Sequence, residues 1–200
     1  MPALQPFRAA LLALIACAAL LSACGRPELH GTVLEPAKPA PDFTLAAHTG
    51  QTFTLSQQRG KVVLLFFGFT NCPDVCPTAL SDMAVVMRKL GDDAKNVQVA
   101  FVTLDPERDT PARLAKYMAA FNPTFLGLHG DQAAIAPIMK AYGVTAIRRE
   151  LPNSALKYTI DHSPFIYVID PAGTWRELLQ DGIPTTDMAN DIRTIMHNGG

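Results

Sequence analysis

Lys61 to Phe67, "K-V-V-L-L-F-F", is a continuous apolar run with β-branched and aromatic members, the pattern of a strand buried on both faces. "V-Q-V-A-F-V-T-L-D", Val97 to Asp105, predicts a second buried strand. Between them Leu80, Met83, Ala84, Met87 and Leu90 recur at helical spacing, Pro77 suits the first helical turn and Gly91 the helix end. Thr110 caps a further helix with Pro111 at its first position, running to about Phe121. A short strand "T-F-L-G-L" follows, then a helix from Asp131 to Tyr142 closed by Gly143. "Y-T-I-D-H-S-P-F-I-Y-V-I-D" approaches and forms another strand; "P-A-G-T" turns into the strand "W-R-E-L-L", and Thr185 or Thr186 opens a terminal helix. Upstream, two short alternating runs around His48-Thr49-Gly50-Gln51 predict a β-hairpin.

Strands that alternate with helices and end in a late hairpin indicate an α/β fold, a mixed β-sheet with helices on both faces and an added N-terminal β-hairpin. "F-G-F-T-N-C-P-D-V-C-P-T", Phe67 to Thr78, puts a cysteine pair at the carboxyl end of the first long strand, opening the next helix. That is the arrangement of a thioredoxin-like fold, and reactive groups in such sheets gather at that end.

Composition changes the picture little: 200 residues, 48% hydrophobic and 18% charged, describe one globular domain. The net charge is -1 with no Lys/Arg cluster, so nucleic-acid binding has no support.

The N-terminus is different in kind. Arg8 precedes a segment uncharged from Ala9 to Ala23, about three-quarters of the roughly 20 residues a membrane span needs. Ending in small residues, residues 1–23 read as a signal peptide outside the fold. "L-S-A-C-G" resembles the bacterial lipoprotein processing box, which implies lipid on Cys24 as the first mature residue. "L-I-A-C", ending at Cys17, also fits, but cleavage there would leave the apolar "A-A-L-L" on the mature protein. The expectation is therefore an exported lipoprotein, anchored to a membrane and facing the periplasm or the cell exterior. Residues 24–40, rich in proline, read as a tether, and 41–200 as the folded domain.

Of the four cysteines, this leaves Cys72 and Cys76 in the domain. In an oxidising compartment an isolated pair is a disulfide by default. As i and i+4 on a helical turn they would share one face, and a helix N-terminus favours thiolates. Two cysteines cannot complete a structural zinc site, whereas thiolates favour Cu(I) and imidazole suits copper too. His30, His48, His129 and His197 fall in tether, turns and C-terminus and read as surface residues. His162 stands at the entrance to a strongly apolar strand, which in a thioredoxin-like sheet faces the cysteine motif. The residues alone leave ligand and satisfied-histidine readings open.

"F-T-N-C-P-D-V-C-P-T", then "T-L-D-P-E-R-D-T-P", then "Y-T-I-D-H-S" resemble the Sco/SenC family, in this order, over about Pro41 to His197. The resemblance implies a thioredoxin-fold copper protein that helps assemble the binuclear copper centre of cytochrome c oxidase. It makes Cys72, Cys76 and His162 the copper ligands, and the implied partners are the oxidase's copper-bearing subunit or another copper chaperone, with a thiol reductase to keep the pair reduced. Asp161 is a candidate to orient His162, because ligating histidines usually have a hydrogen-bond acceptor behind them. "D-P-E-R-D-T-P" needs no more than a turn and a helix cap. Met83 and Met87 lie on an apolar stripe and read as core rather than as a copper relay. Whether the Ser163-Pro164 bond is cis, as the proline opposite the cysteines of thioredoxin-like folds usually is, stays open.

The same two cysteines would serve a thiol-disulfide reductase, with His162 then auxiliary. A peroxiredoxin is excluded, since neither cysteine has a proline seven residues before it together with a threonine three before it.

Overall fold

A computed structural model describes residues 29–198. The signal-peptide reading of 1–23 and the lipidation of Cys24 lie outside these residues. The strands are β1 (Thr32–Pro39), β2 (Thr44–Ala47), β3 (Thr52–Thr54), β4 (Val62–Gly68), β5 (Val97–Thr103), β6 (Leu126–His129), β7 (Ala146–Glu150), β8 (Tyr158–His162), β9 (Ile166–Ile169) and β10 (Thr174–Leu179). The α-helices are α1 (Val75–Leu90), α2 (Pro111–Phe121), α3 (Gln132–Tyr142) and α4 (Thr185–Asn198).

Eight strands form one mixed sheet in the order β1-β10-β9-β4-β5-β6-β2-β3. Its central strand β4 is the apolar run: every residue from Val62 to Gly68 is buried. β4 pairs parallel with β5 and antiparallel with β9, the core pairing of a thioredoxin-like fold. Neighbours in a strand point to opposite faces, so Phe66 meets Phe101, which meets Tyr117 of α2, while Phe67 meets Tyr142 of α3. Helices therefore cover both faces, with α1 and α4 packed together on the Phe66 side, where Gly68 abuts Cys76. All five periodic positions of α1 are buried. Thr110 caps α2 by accepting from the Arg113 N–H, and Gly143 closes α3 in the left-handed conformation at φ 67°. The predicted N-terminal hairpin is β2–β3, joined to the sheet through β6.

Two segments depart from the sequence reading. Thr32–Pro39, within the predicted tether, is an edge strand paired antiparallel with β10. It is exposed almost throughout and held by backbone hydrogen bonds, so no apolar period betrays it, and its prolines are tolerated at an edge. The predicted strand from Tyr158 to Asp170 is two strands. β9 lies in the main sheet, but β8 turns away and pairs only with β7 in a separate two-stranded ribbon. Pro164 lies in the break; the cis peptide among the described residues is Glu35-Pro36, so Ser163-Pro164 is trans.

Candidate metal centre

The site stands where β4 gives way to α1. Cys72 lies in the intervening loop and Cys76 is the second residue of the helix. The pair therefore does not share a helical face, as the spacing suggests. Instead the loop folds Cys72 back over the helix start, and the Cys76 N–H donates to the Cys72 sulfur at 3.4 Å. Both thiols are free of disulfide, with Cys72 8% and Cys76 0% exposed.

His162, the last residue of β8, approaches from the ribbon. Its Nε2 lies 3.4 Å from the Cys76 sulfur. Its Nδ1 lies 3.0 Å from the Ser163 carbonyl, which can only accept, so Nδ1 carries the proton and Nε2 is the atom presented to the sulfurs. Phe66 and Phe69, both buried, hold the ring edge-on at 6.2 and 5.9 Å between centroids. The three donor atoms of Cys72, Cys76 and His162 lie within 4.8 Å of one another, and among the described residues no other group of histidine, cysteine or carboxylate donors converges in this way.

The two sulfurs are electrostatically unequal. The Cys76 thiol hydrogen-bonds to Cys72, and this outweighs the cost of burial. With His162 and the backbone N–H groups of Asp74 and Cys76, it lowers the Cys72 thiol to about 4. The same bond holds the proton on Cys76, and burial and the Cys72 charge push that thiol further up. The reduced site thus holds one thiolate and one thiol. A soft metal replacing that proton would gain the second thiolate.

Asp161 is not brought into the site. It adjoins His162 in a strand, so its side chain points to the other face, where its carboxylate meets Arg149 at 3.0 and 3.1 Å. The group that orients the imidazole is the Ser163 carbonyl. His30 is bonded to Asp191, and His48 accepts from the Gly127 N–H, both away from the cysteines. Met83 and Met87 are buried at 0% and 7% exposure, as the apolar stripe predicts.

Sequence reasoning missed Gly68. A Cβ there would fall 2.7 Å from the Cys76 sulfur, so glycine is what lets the sulfur lie against the strand end. A glycine closing an otherwise uninterrupted apolar strand is the signal that could have found it.

The SCO1/SenC family model matches residues 32–197. The chain is similar to a SCO2-like protein of Rickettsia conorii, 36% identical over 134 residues, which make up 67% of this chain and 65% of that protein. The match thus spans just under two thirds of that relative's length. Among solved structures it is similar to Bradyrhizobium japonicum ScoI with copper bound, at TM-score 0.73 and 36% identity over 80% of this chain and 100% of that one. It is similar also to yeast Sco1 with copper bound, at TM-score 0.69 and 32% identity over 78% and 87%. With the fold, the three motifs and these matches in agreement, the chain belongs to the SCO1/SenC family.

Proposed function

We propose that this protein is a copper metallochaperone. It binds one copper ion through the sulfurs of Cys72 and Cys76 and Nε2 of His162, and delivers it to the binuclear copper centre of cytochrome c oxidase. The observation that carries this reading is the convergence of those three donors within 4.8 Å. Two thiolates and an imidazole suit copper, Cu(I) above all, and three protein ligands leave an open position that a closed structural site lacks. A recipient's thiol can enter there and displace the ligands one at a time, whether on the oxidase subunit or on another copper chaperone. Copper-bound structures of ScoI and yeast Sco1, both similar to this chain, support the choice of metal.

Redox state would gate the site. Oxidation by a disulfide oxidant joins the two sulfurs, passes two electrons to that oxidant, releases the one proton held on Cys76, and removes two of three donors; a thiol reductase restores them. The reading of residues 1–23 as a signal peptide ending at a lipoprotein box supports an exported protein, with Cys24 as the lipidated residue that would hold the domain to a membrane.

A second reading, thiol-disulfide reduction of the recipient's copper-site cysteines, draws on the inequality of the sulfurs. A Cys72 thiolate with a small exposed edge, 8%, and a protonated, fully buried Cys76 are the attacking and resolving partners such an exchange needs.

Cu(I) titration of the reduced protein against a chromophoric chelator tests the first reading. One tightly held ion is expected, lost in Cys72→Ser and clearly weakened in His162→Ala. Weak binding indifferent to His162→Ala, together with rapid reduction of disulfides, would replace it with the second.

A further inference from the structure

His162 belongs to a ribbon that shares no ladder with the main sheet, whereas both cysteines are placed by β4 and α1. The backbone reaches β9 within a few residues of His162, but the far end of β8, at Tyr158, has no strand partner except β7. What sets the distance between ribbon and cysteine loop must be side chains. One short segment, Asp105–Asp109, touches both.

Its C-terminal end grips the cysteine loop. The buried carboxylate of Asp109 accepts from the Thr70 N–H at 3.0 Å and the Thr70 hydroxyl at 2.5 Å, two residues before Cys72. It accepts also from the Thr103 hydroxyl at 2.6 Å, which ties the grip to the end of β5. Its other end grips the ribbon. Arg108 Nη1 donates to the carbonyls of Leu156 and Tyr158 at 2.9 and 3.1 Å, and its guanidinium lies 3.6 Å over the Tyr158 ring. The Tyr158 hydroxyl donates to Asp105 at 2.7 Å, and Asp105 accepts from Arg108 Nε. Asp105 and Tyr158 are buried, and the Asp105 carbonyl accepts from the Asp109 N–H at 2.9 Å, which makes the two grips one rigid piece.

We propose that Asp105, Arg108, Asp109 and Tyr158 form a brace whose function is to hold the histidine at ligating distance from the cysteines. None of them is among the three converging donors, so they are positioning residues. The proposal rests on the metal-site reading and names the residues that preorganise it. Removing such outer partners typically weakens metal binding about 10- to 100-fold.

The test is a double-mutant cycle on the full-length protein, read by Cu(I) competition and, without metal, by the His162 ring 15N resonances. Arg108→Gln is expected to weaken Cu(I) by about 10- to 100-fold and to shift the His162 resonances. In a His162→Ala background the same change should cost little more, because the ligand it positions is already gone. Tyr158→Phe, which keeps the ring and loses one hydrogen bond, should show a smaller effect of the same kind. It also serves if Arg108→Gln fails to fold. Arg149→Gln, on the same ribbon but outside the brace, should change neither readout. Equal losses with and without His162, or unmoved His162 resonances in the folded variants, would overturn the brace and leave a loop of purely structural importance. If the wild-type protein holds no Cu(I), the metal reading falls, while the ring resonances still decide the brace.

Discussion

The sulfur of Cys76 occupies the space that a side chain on Gly68 would need, since a Cβ there would stand 2.7 Å from Sγ and 2.9 Å from the Phe101 ring. Phe101 is fully buried, so it has nowhere to retreat, and the sulfur must move. Gly68→Ala is expected to destabilise the fold by about 1–3 kcal/mol through overpacking and to weaken Cu(I) binding. Thermal unfolding and chelator competition measure the two losses. Met83→Leu, a volume-conserving change in the same helix core, should leave copper binding as it is; a loss there would return the methionines to a metal role.

The two thiols should differ sharply toward alkylation. Cys72 is lowered to about 4, chiefly by the Cys76 thiol that hydrogen-bonds to it, so its thiolate persists from neutral pH down to near that value. Iodoacetamide should label reduced Cys72 at a rate nearly flat from pH 8 to 5, with Cys76 inert beneath it. A rate that falls tenfold per pH unit below 8, as for an ordinary thiol, would refute the thiolate assignment.

A buried carboxyl pair should impose its own pH dependence on the fold. Glu177, fully buried on β10, accepts from the Gly31 N–H at 2.7 Å, and Asp191 of α4 accepts from the His30 N–H and ring. Burial, with the neighbouring Asp191 charge, raises Glu177 from 4.5 to about 7. A raised acid favours the folded state below its unfolded value and loses that contribution as pH rises to the folded one. Stability attributable to Glu177 should therefore decline between about pH 4.5 and 7. His30, raised by Asp191, adds in the same direction. Glu177→Gln keeps the acceptor for Gly31 without the charge, so its melting temperature should gain on the wild type between pH 5 and pH 8. A constant difference across that range would show that Glu177 does not titrate in it.

Much of the fold is legible because its elements are driven by burial. The uninterrupted run in β4 has to be a central strand, and the stripe of α1 has to face it. Thr110-Pro111 and Gly143 mark helix ends by local backbone chemistry that needs no tertiary context. Strand β1 and ribbon strand β7 were invisible for the opposite reason. Both are largely exposed and held by backbone hydrogen bonds, so their side chains carry no period. The site divides in the same way. Cys72 and Cys76 announce themselves by chemistry and by place after β4, and His162 by being a polar residue where an apolar strand begins.

By itself, the order of residues along this chain determined the α/β class, the strand that carries the cysteines and the three ligand candidates, since hydrophobic period and residue chemistry are local properties. Only the tertiary structure decided how those candidates meet. It decided that Cys72 folds back from a loop, that the Ser163 carbonyl rather than Asp161 orients the imidazole, and that Asp105–Asp109 ties the histidine ribbon to the cysteine loop. Those relationships depend on side-chain direction at single positions and on contacts dozens of residues apart, and distance in space is not written in the spacing of residues.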